Sequence, residues 1–200
     1  KAGGGGTETS AAPGPTEEPT QGGGGGGGTD SPKTTSPSTP SSSASTSSGG
    51  AGSSMTNPAE GQLTFHASKN DYNDPNASLD VSVGDVKWNA NDDVKSTMSS
   101  YSYKEPGANQ VYIRVPVEIT YHGKGQYEKY TFKMDFVNGT TTSAVESYSD
   151  KGELTQQAMP RDGGKATGYV TFLIDQSAVN QGVFAITAFT SVDEGYIKAK

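Results

Sequence analysis

Cysteine is absent from the 200-residue chain. That excludes a Cys-type structural zinc site and thiol redox chemistry. Histidine is nearly absent: only His66 and His122 occur, 56 residues apart, and each reads as a solvated surface side chain. Basic residues are outnumbered, 15 Lys and Arg against 22 Asp and Glu, for a net charge of −7 and a pI near 4.8. With no basic stripe, nucleic acid and anionic membrane surfaces are not expected partners. No apolar run approaches the roughly 20 residues of a membrane span. The start, KAGGGGTETS without Met, shows no leader pattern and is expected to be a processed or trimmed end.

Aromatic residues are missing from residues 1–60, where Met55 is the single large apolar side chain. Such a segment cannot bury enough surface to offset its ordering entropy, so it is expected to be a disordered tether. Gly3–Gly6 and Gly22–Gly28 are glycine runs, and Ser31–Ser48 is rich in Ser and Thr with Pro32, Pro37 and Pro40. A random coil of this length has an r.m.s. span of roughly 40–45 Å. That reach is useful only if one end is fixed. The composition suits the stalk of a surface lipoprotein, whose lipid-bearing cysteine would precede Lys1, or a linker to another domain.

Residues 61–200 hold all ten Tyr, all six Phe and Trp88, enough for one core. The clearest pattern is Val111–His122, VYIRVPVEITYH, in which Val111, Ile113, Val115, Val117, Ile119 and Tyr121 alternate with polar or mixed positions. A period of two over twelve residues predicts a half-buried strand. Pro116 within it argues for an edge or a bulge. Gln62–His66 and Leu79–Val83 also alternate. Val86 and Trp88 follow in the opposite phase, so one residue is gained at Gly84-Asp85 by a bulge or a tight turn. Gln126–Val137 reads as a strand with Tyr130, Phe132, Met134 and Phe136 on its apolar face. Asn138-Gly139 signals a type I′ hairpin returning through Thr140–Tyr148. Thr167–Ile174 and Val183–Phe189 complete about seven strands, while Asn91–Gln110 reads as a long polar loop. The expected class is all-β, an immunoglobulin-like antiparallel β-sandwich behind a disordered Gly/Ser/Thr/Pro-rich stalk. Val115, Val117, Ile119, Phe132, Phe136, Phe172 and Ile186 are its expected core.

The run VYIRVPVEITYHGKG, the aromatic strand YTFKMDF with its Asn-Gly turn, and GGKATGYVTFLI together resemble the telokin-like, immunoglobulin-fold domain of Gram-positive cell-surface lipoproteins. The resemblance covers about Leu79–Phe189 and the stalk. It implies a surface-anchored domain with no assigned activity, and it carries over no catalytic residue.

Little in the chain points to catalysis. No G-x-S-x-G elbow is present. The glycine runs do not sit between a strand and a helix, as a phosphate loop requires. Asp71, Asn73 and Asp74 form part of a calcium-loop pattern but lack its sixth-position Gly and twelfth-position Glu. Asn76-Ala77-Ser78 and Asn138-Gly139-Thr140 match glycosylation sequons that a bacterial protein does not use. No enzyme, cofactor or metal is therefore expected. Tyr101, Tyr103 and Lys104 in the polar loop, with Tyr112 on the outward phase of its strand, are the expected interaction surface. Exposed tyrosines stack on sugars or anchor protein contacts. Alternatively, they fold back over the end of the sandwich. The expected function is an extracellular binding domain of a bacterial lipoprotein, engaging an extracellular protein or cell-wall glycan. It would touch the membrane only through a lipid anchor ahead of Lys1, on the outer face of a Gram-positive cell, or be secreted. The rival is a carbohydrate-binding or adhesin module severed from a larger cell-wall enzyme.

Overall fold

A computed structural model describes residues 49–69, 71, 74–146, 150–190 and 193–200. Most of the expected tether, residues 1–48, lies outside the described residues, as do Asn73 and the end of the strand expected to reach Tyr148.

Among the described residues, eight strands form two four-stranded antiparallel sheets, which is the expected sandwich. They are β1 (Gln62–His66), β2 (Ser78–Val83), β3 (Gln110–His122), β4 (Lys133–Asn138), β5 (Thr141–Ser143), β6 (Lys165–Asp175), β7 (Val183–Thr187) and β8 (Gly195–Lys198). The first sheet runs β1-β2-β3-β6 and the second β5-β4-β7-β8. In an antibody constant domain the third strand crosses to the opposite sheet; here β3 stays beside β2. The shared feature is the two-layer outline. All seven expected core residues are buried, and rings from both sheets meet between the layers.

β3 lies inside its sheet, between β2 and β6, rather than at an edge. The Pro116 carbonyl accepts from the Gly84 N–H at 2.9 Å. In an extended strand N and O of one residue point the same way, so the Pro116 nitrogen also faces that side. Regular β2 has already ended at Val83, and no ladder donor is lost. The phase change near Gly84-Asp85 is a bulge. Unbroken register from Val83↔Val117 would set Val86 against Arg114, but Lys87 stands there instead. The extra residue turns Val86 and Trp88 back toward the core.

Three expectations need correction. Gln126–Val137 is not one strand: Lys129–Thr131 is a 3-10 turn. Its period of three throws Tyr130 outward, 83% exposed. Tyr127 goes inward instead, donating its hydroxyl to the Ala188 carbonyl. The Asn-Gly turn is displaced by one residue, because Asn138 pairs with Thr141 and leaves Gly139-Thr140 as the loop. Gly139 at φ 60° alone takes positive φ there, which fits Gly at the first position of a type II′ turn. Finally, residues 49–60 are packed onto the domain. Ala59 is buried; its N–H donates to Tyr196 O at 2.8 Å, and its carbonyl accepts from Lys198 N at 2.9 Å. The short strand β8, unmarked in the sequence reading, is what holds this segment.

The loop Asn91–Gln110 begins with a helix, α1 (Asn91–Thr97). Asp92 and Asp93 in its first turn suit the helix dipole. Ala90, Val94 and Met98 recur every four residues and put one apolar stripe on the outer face of β3.

Candidate functional site

The inner face of the first sheet is committed to the core. Its outer face divides into a covered half and an open half. α1 packs over Tyr112, and Thr97 of α1 and Asp150 bond Arg114 and Thr171; Tyr112, Arg114 and Thr171 are all buried. The other half presents Asp80, Ser82, Glu118, Thr120 and Thr167 in register, with Thr64 buried beside Asp80.

The covered half decides the fate of the expected interaction tyrosines. Tyr112 is fully buried, and this corrects its place on a surface. Its hydroxyl donates to Lys104 O at 3.0 Å, its N–H donates to Asn91 Oδ1 at 2.8 Å, and its ring packs with Ala90, Val94 and Met98. Outward phase puts a side chain on the outer face but does not say whether chain then covers it. Tyr103 is half-buried, with its ring centroid 6.0 Å from that of Tyr112. Its hydroxyl donates to Glu105 at 3.0 Å, and Lys95 Nζ lies 5.6 Å from its ring. Burial followed by the Glu105 bond raises its pKa. Lys104 is exposed and pairs with Glu146 at 3.3 Å. Tyr101 alone stands clear, 98% exposed. Of the four, the structure joins Tyr103 to Tyr112 as packing residues and leaves Tyr101 and Lys104 on the surface. Tyr101→Ser should then change unfolding free energy by less than about 0.5 kcal/mol. Tyr103→Ser should cost about 1–2 kcal/mol through the lost ring contacts. Urea denaturation of both variants checks this, and equal costs would contradict the packing assignment.

Beneath this cover lies a charged cluster that sequence reasoning missed. Arg114 Nη2 donates to Asp150 Oδ2 and, at 2.5 Å, to Thr97 Oγ1. Thr171 Oγ1 donates to the same Asp150 oxygen at 3.2 Å. Both members of the pair are buried, and Arg114 Nε and Asp150 Oδ1 have no partner among the described residues. Glu153 is buried close by; its carboxylate accepts from the Thr155 N–H at 2.9 Å and from the Thr155 hydroxyl. Burial raises the Glu153 pKa, bonds from Thr155 and Gln156 oppose the rise, and the Asp150 charge adds to it. The neighbouring chain at Leu154, a residue of the core between the sheets, is admitted by Gly168: a Cβ there would stand 2.6 Å from Leu154 Cα. No local pattern announces this cluster, since its members come from four separate stretches of chain.

At the border between the two halves runs an open groove of about 500 Å³. Ser82, Gly84, Pro116, Glu118, Gln157 and Tyr169 line it. Tyr169 is 42% exposed, and the Arg114 guanidinium carbon lies 5.3 Å from its ring centroid. The buried pair thus sets the platform on which the tyrosine rests. A ring face flanked by hydroxyl, amide and carboxylate groups can stack on an apolar surface and hydrogen-bond around it.

The partial calcium-loop pattern has another use. Asp71 accepts from the Ser68 N–H at 2.5 Å, from the Thr190 N–H at 3.0 Å and from the Thr190 hydroxyl. Burial would raise its pKa, but these bonds outweigh that and lower it. Asp74 accepts from the N–H groups of Lys124 and Asn76, at 3.0 and 3.1 Å, and these in that order lower its pKa. Both carboxylates brace loops. Among the described residues, no three His, Asp or Glu side chains are assembled as a metal site, and no helix is long and apolar enough to cross a membrane.

No protein-family model matches the chain, and no curated protein matches it significantly. Two solved structures are similar to it at low identity. One is YcdA of Bacillus subtilis, described as a candidate lipoprotein, with a TM-score of 0.41 and 17% identity over 66% of this chain and 39% of YcdA. The chain therefore spans about two fifths of the length of YcdA. The other is a conserved hypothetical protein of Bacillus anthracis, with a TM-score of 0.33 and 14% identity over 69% of this chain and 98% of that one.

Proposed function

We propose that this is a binding domain of a telokin-like, lipid-anchored surface protein, displayed outside the cell, and that its ligand site is the groove beside Tyr169. The half-exposed Tyr169 ring, held over buried Arg114 at the edge of an open polar sheet face, carries the reading. Such a ring offers its face to the C–H side of a sugar, while Ser82, Glu118 and Gln157 supply hydrogen-bond partners. A cell-wall glycan is therefore the favoured ligand class. The Gly- and Ser-rich composition of residues 1–48 supports a stalk that carries the domain clear of the membrane.

The test is an NMR titration of the full chain with soluble cell-wall glycan fragments. Shifts should centre on Gly84, Pro116 and Tyr169. Tyr169→Phe should keep binding, and Tyr169→Ser should weaken it at least tenfold, because aromatic anchors dominate contact energy. Thr167→Arg, which fills the groove from an outward position of β6, should block binding while leaving the core intact. Glycan binding that is unchanged by both Tyr169→Ser and Thr167→Arg would overturn the assignment, as would no binding at all.

A further inference from the structure

The chain has two histidines in 200 residues, 56 positions apart, and the fold sets them in one row. His66 on β1 pairs with Ser78 on β2, and Ser78 pairs with His122 on β3. All three are on the outward phase of their strands, on the open half of the first sheet. Strands lie about 4.8 Å apart, so the two histidine backbones are separated by roughly 10 Å across one small residue. Asp80, two residues along β2, is diagonal to both, within reach of long side chains. Its Oδ1 accepts from Thr64 Oγ1 at 2.6 Å, which fixes the carboxylate. Its Oδ2 lies 3.2 Å from His122 Nε2.

We propose that His66, His122 and Asp80 form a binding site for a divalent transition-metal ion, zinc in particular. Two imidazoles and one carboxylate are the donor set of many open zinc sites, which leave a fourth position to water or a ligand. The 3.2 Å separation of His122 Nε2 and Asp80 Oδ2 suits a shared ion. Two donors about 2.0–2.1 Å from a tetrahedral zinc stand about 3.3 Å apart. Thr64 supplies the outer hydrogen bond that commonly orients a ligating carboxylate. The three side chains are not assembled in this structure; His66 would complete the site by a side-chain rotation. It is exposed, at the end of an edge strand, and the register sets its backbone beside Ser78. With cysteine absent and no other histidine in the chain, any imidazole-dependent metal binding can draw only on these two residues.

The full chain should be titrated with zinc chloride by calorimetry and by NMR. One equivalent should bind saturably, shifting His66, Ser78, Asp80 and His122. His66→Ala and His122→Ala should each weaken binding at least tenfold, as loss of a ligand must exceed the 10–100-fold cost of losing an outer partner. Both histidines are exposed, so the variants should fold, and unfolding curves verify that. Ser78→His, which places a third imidazole in the middle of the row, should tighten binding at least tenfold. Absence of saturable binding overturns the proposal. So does binding that survives either histidine change, which would put the ion elsewhere.

Discussion

Asp150→Ala should destabilise the domain by about 3–5 kcal/mol, the largest effect expected from removing one polar side chain. Asp150 is the carboxylate partner of Arg114, and both are buried on the outer side of the first sheet beside Thr97 and Thr171. Truncation leaves the guanidinium with Thr97 Oγ1 as a remaining acceptor and no countercharge. A buried charge without its partner keeps its full desolvation cost. Glu153 sits nearby, but its carboxylate is already engaged by the Thr155 N–H and hydroxyl, so it is a weak substitute. Replacing both members by apolar residues, as in Arg114→Met with Asp150→Leu, should cost much less, because neither charge then needs compensation. Urea unfolding of the single and double variants gives the comparison. A loss below about 1 kcal/mol in Asp150→Ala would mean that water reaches Arg114. The pair also bears on the proposed ligand site. Arg114 lies under the Tyr169 ring, so Asp150→Ala should disturb the groove even where the domain remains folded.

How much of this was legible beforehand depends on the range of the information required. The alternation in Val111–His122 told which side chains of β3 face inward, because a pleated strand imposes that locally. The phase change between Val83 and Val86 likewise revealed an inserted residue, and the register places a bulge there. Tyr112 shows where local reasoning stops. Its phase correctly put it on the outer face, but burial came from Ala90, Val94 and Met98 packing over it. Their spacing of four was readable as a short helical stripe, hidden inside a stretch dominated by Asn, Asp and Ser. Tyr130 failed for a different reason: one 3-10 turn changes the period, and the alternation beyond it no longer carries backward. The Arg114–Asp150 pair and the His66–Ser78–His122 row have no local signature. Each exists only after strands distant in sequence are laid in register.

Phe172→Ala should cost about 3–5 kcal/mol, whereas Tyr130→Ala should change stability by less than about 0.5 kcal/mol. The contrast is useful because strand periodicity assigns both residues to an apolar face. Phe172 comes from β6 in the first sheet and meets Phe184 of β7 and Phe136 of β4 in the second. Ring centroids are 5.9 Å apart for Phe172 and Phe184, stacked at 24°, and 6.3 Å apart for Phe136 and Phe172. Phe136 and Phe184 close the triangle at 5.8 Å. This cluster is where the two layers touch, so truncation opens a void between rigid sheets that cannot collapse without moving both. Tyr130 projects from its turn into solvent beside Lys129, whose Nζ lies 5.3 Å from the ring, and an exposed contact of that kind contributes little. Phe172→Leu should fall between the two, since it retains part of the buried volume. Measured costs that are equal for Phe172→Ala and Tyr130→Ala would restore the continuous strand over Gln126–Val137 and contradict the turn at Lys129–Thr131.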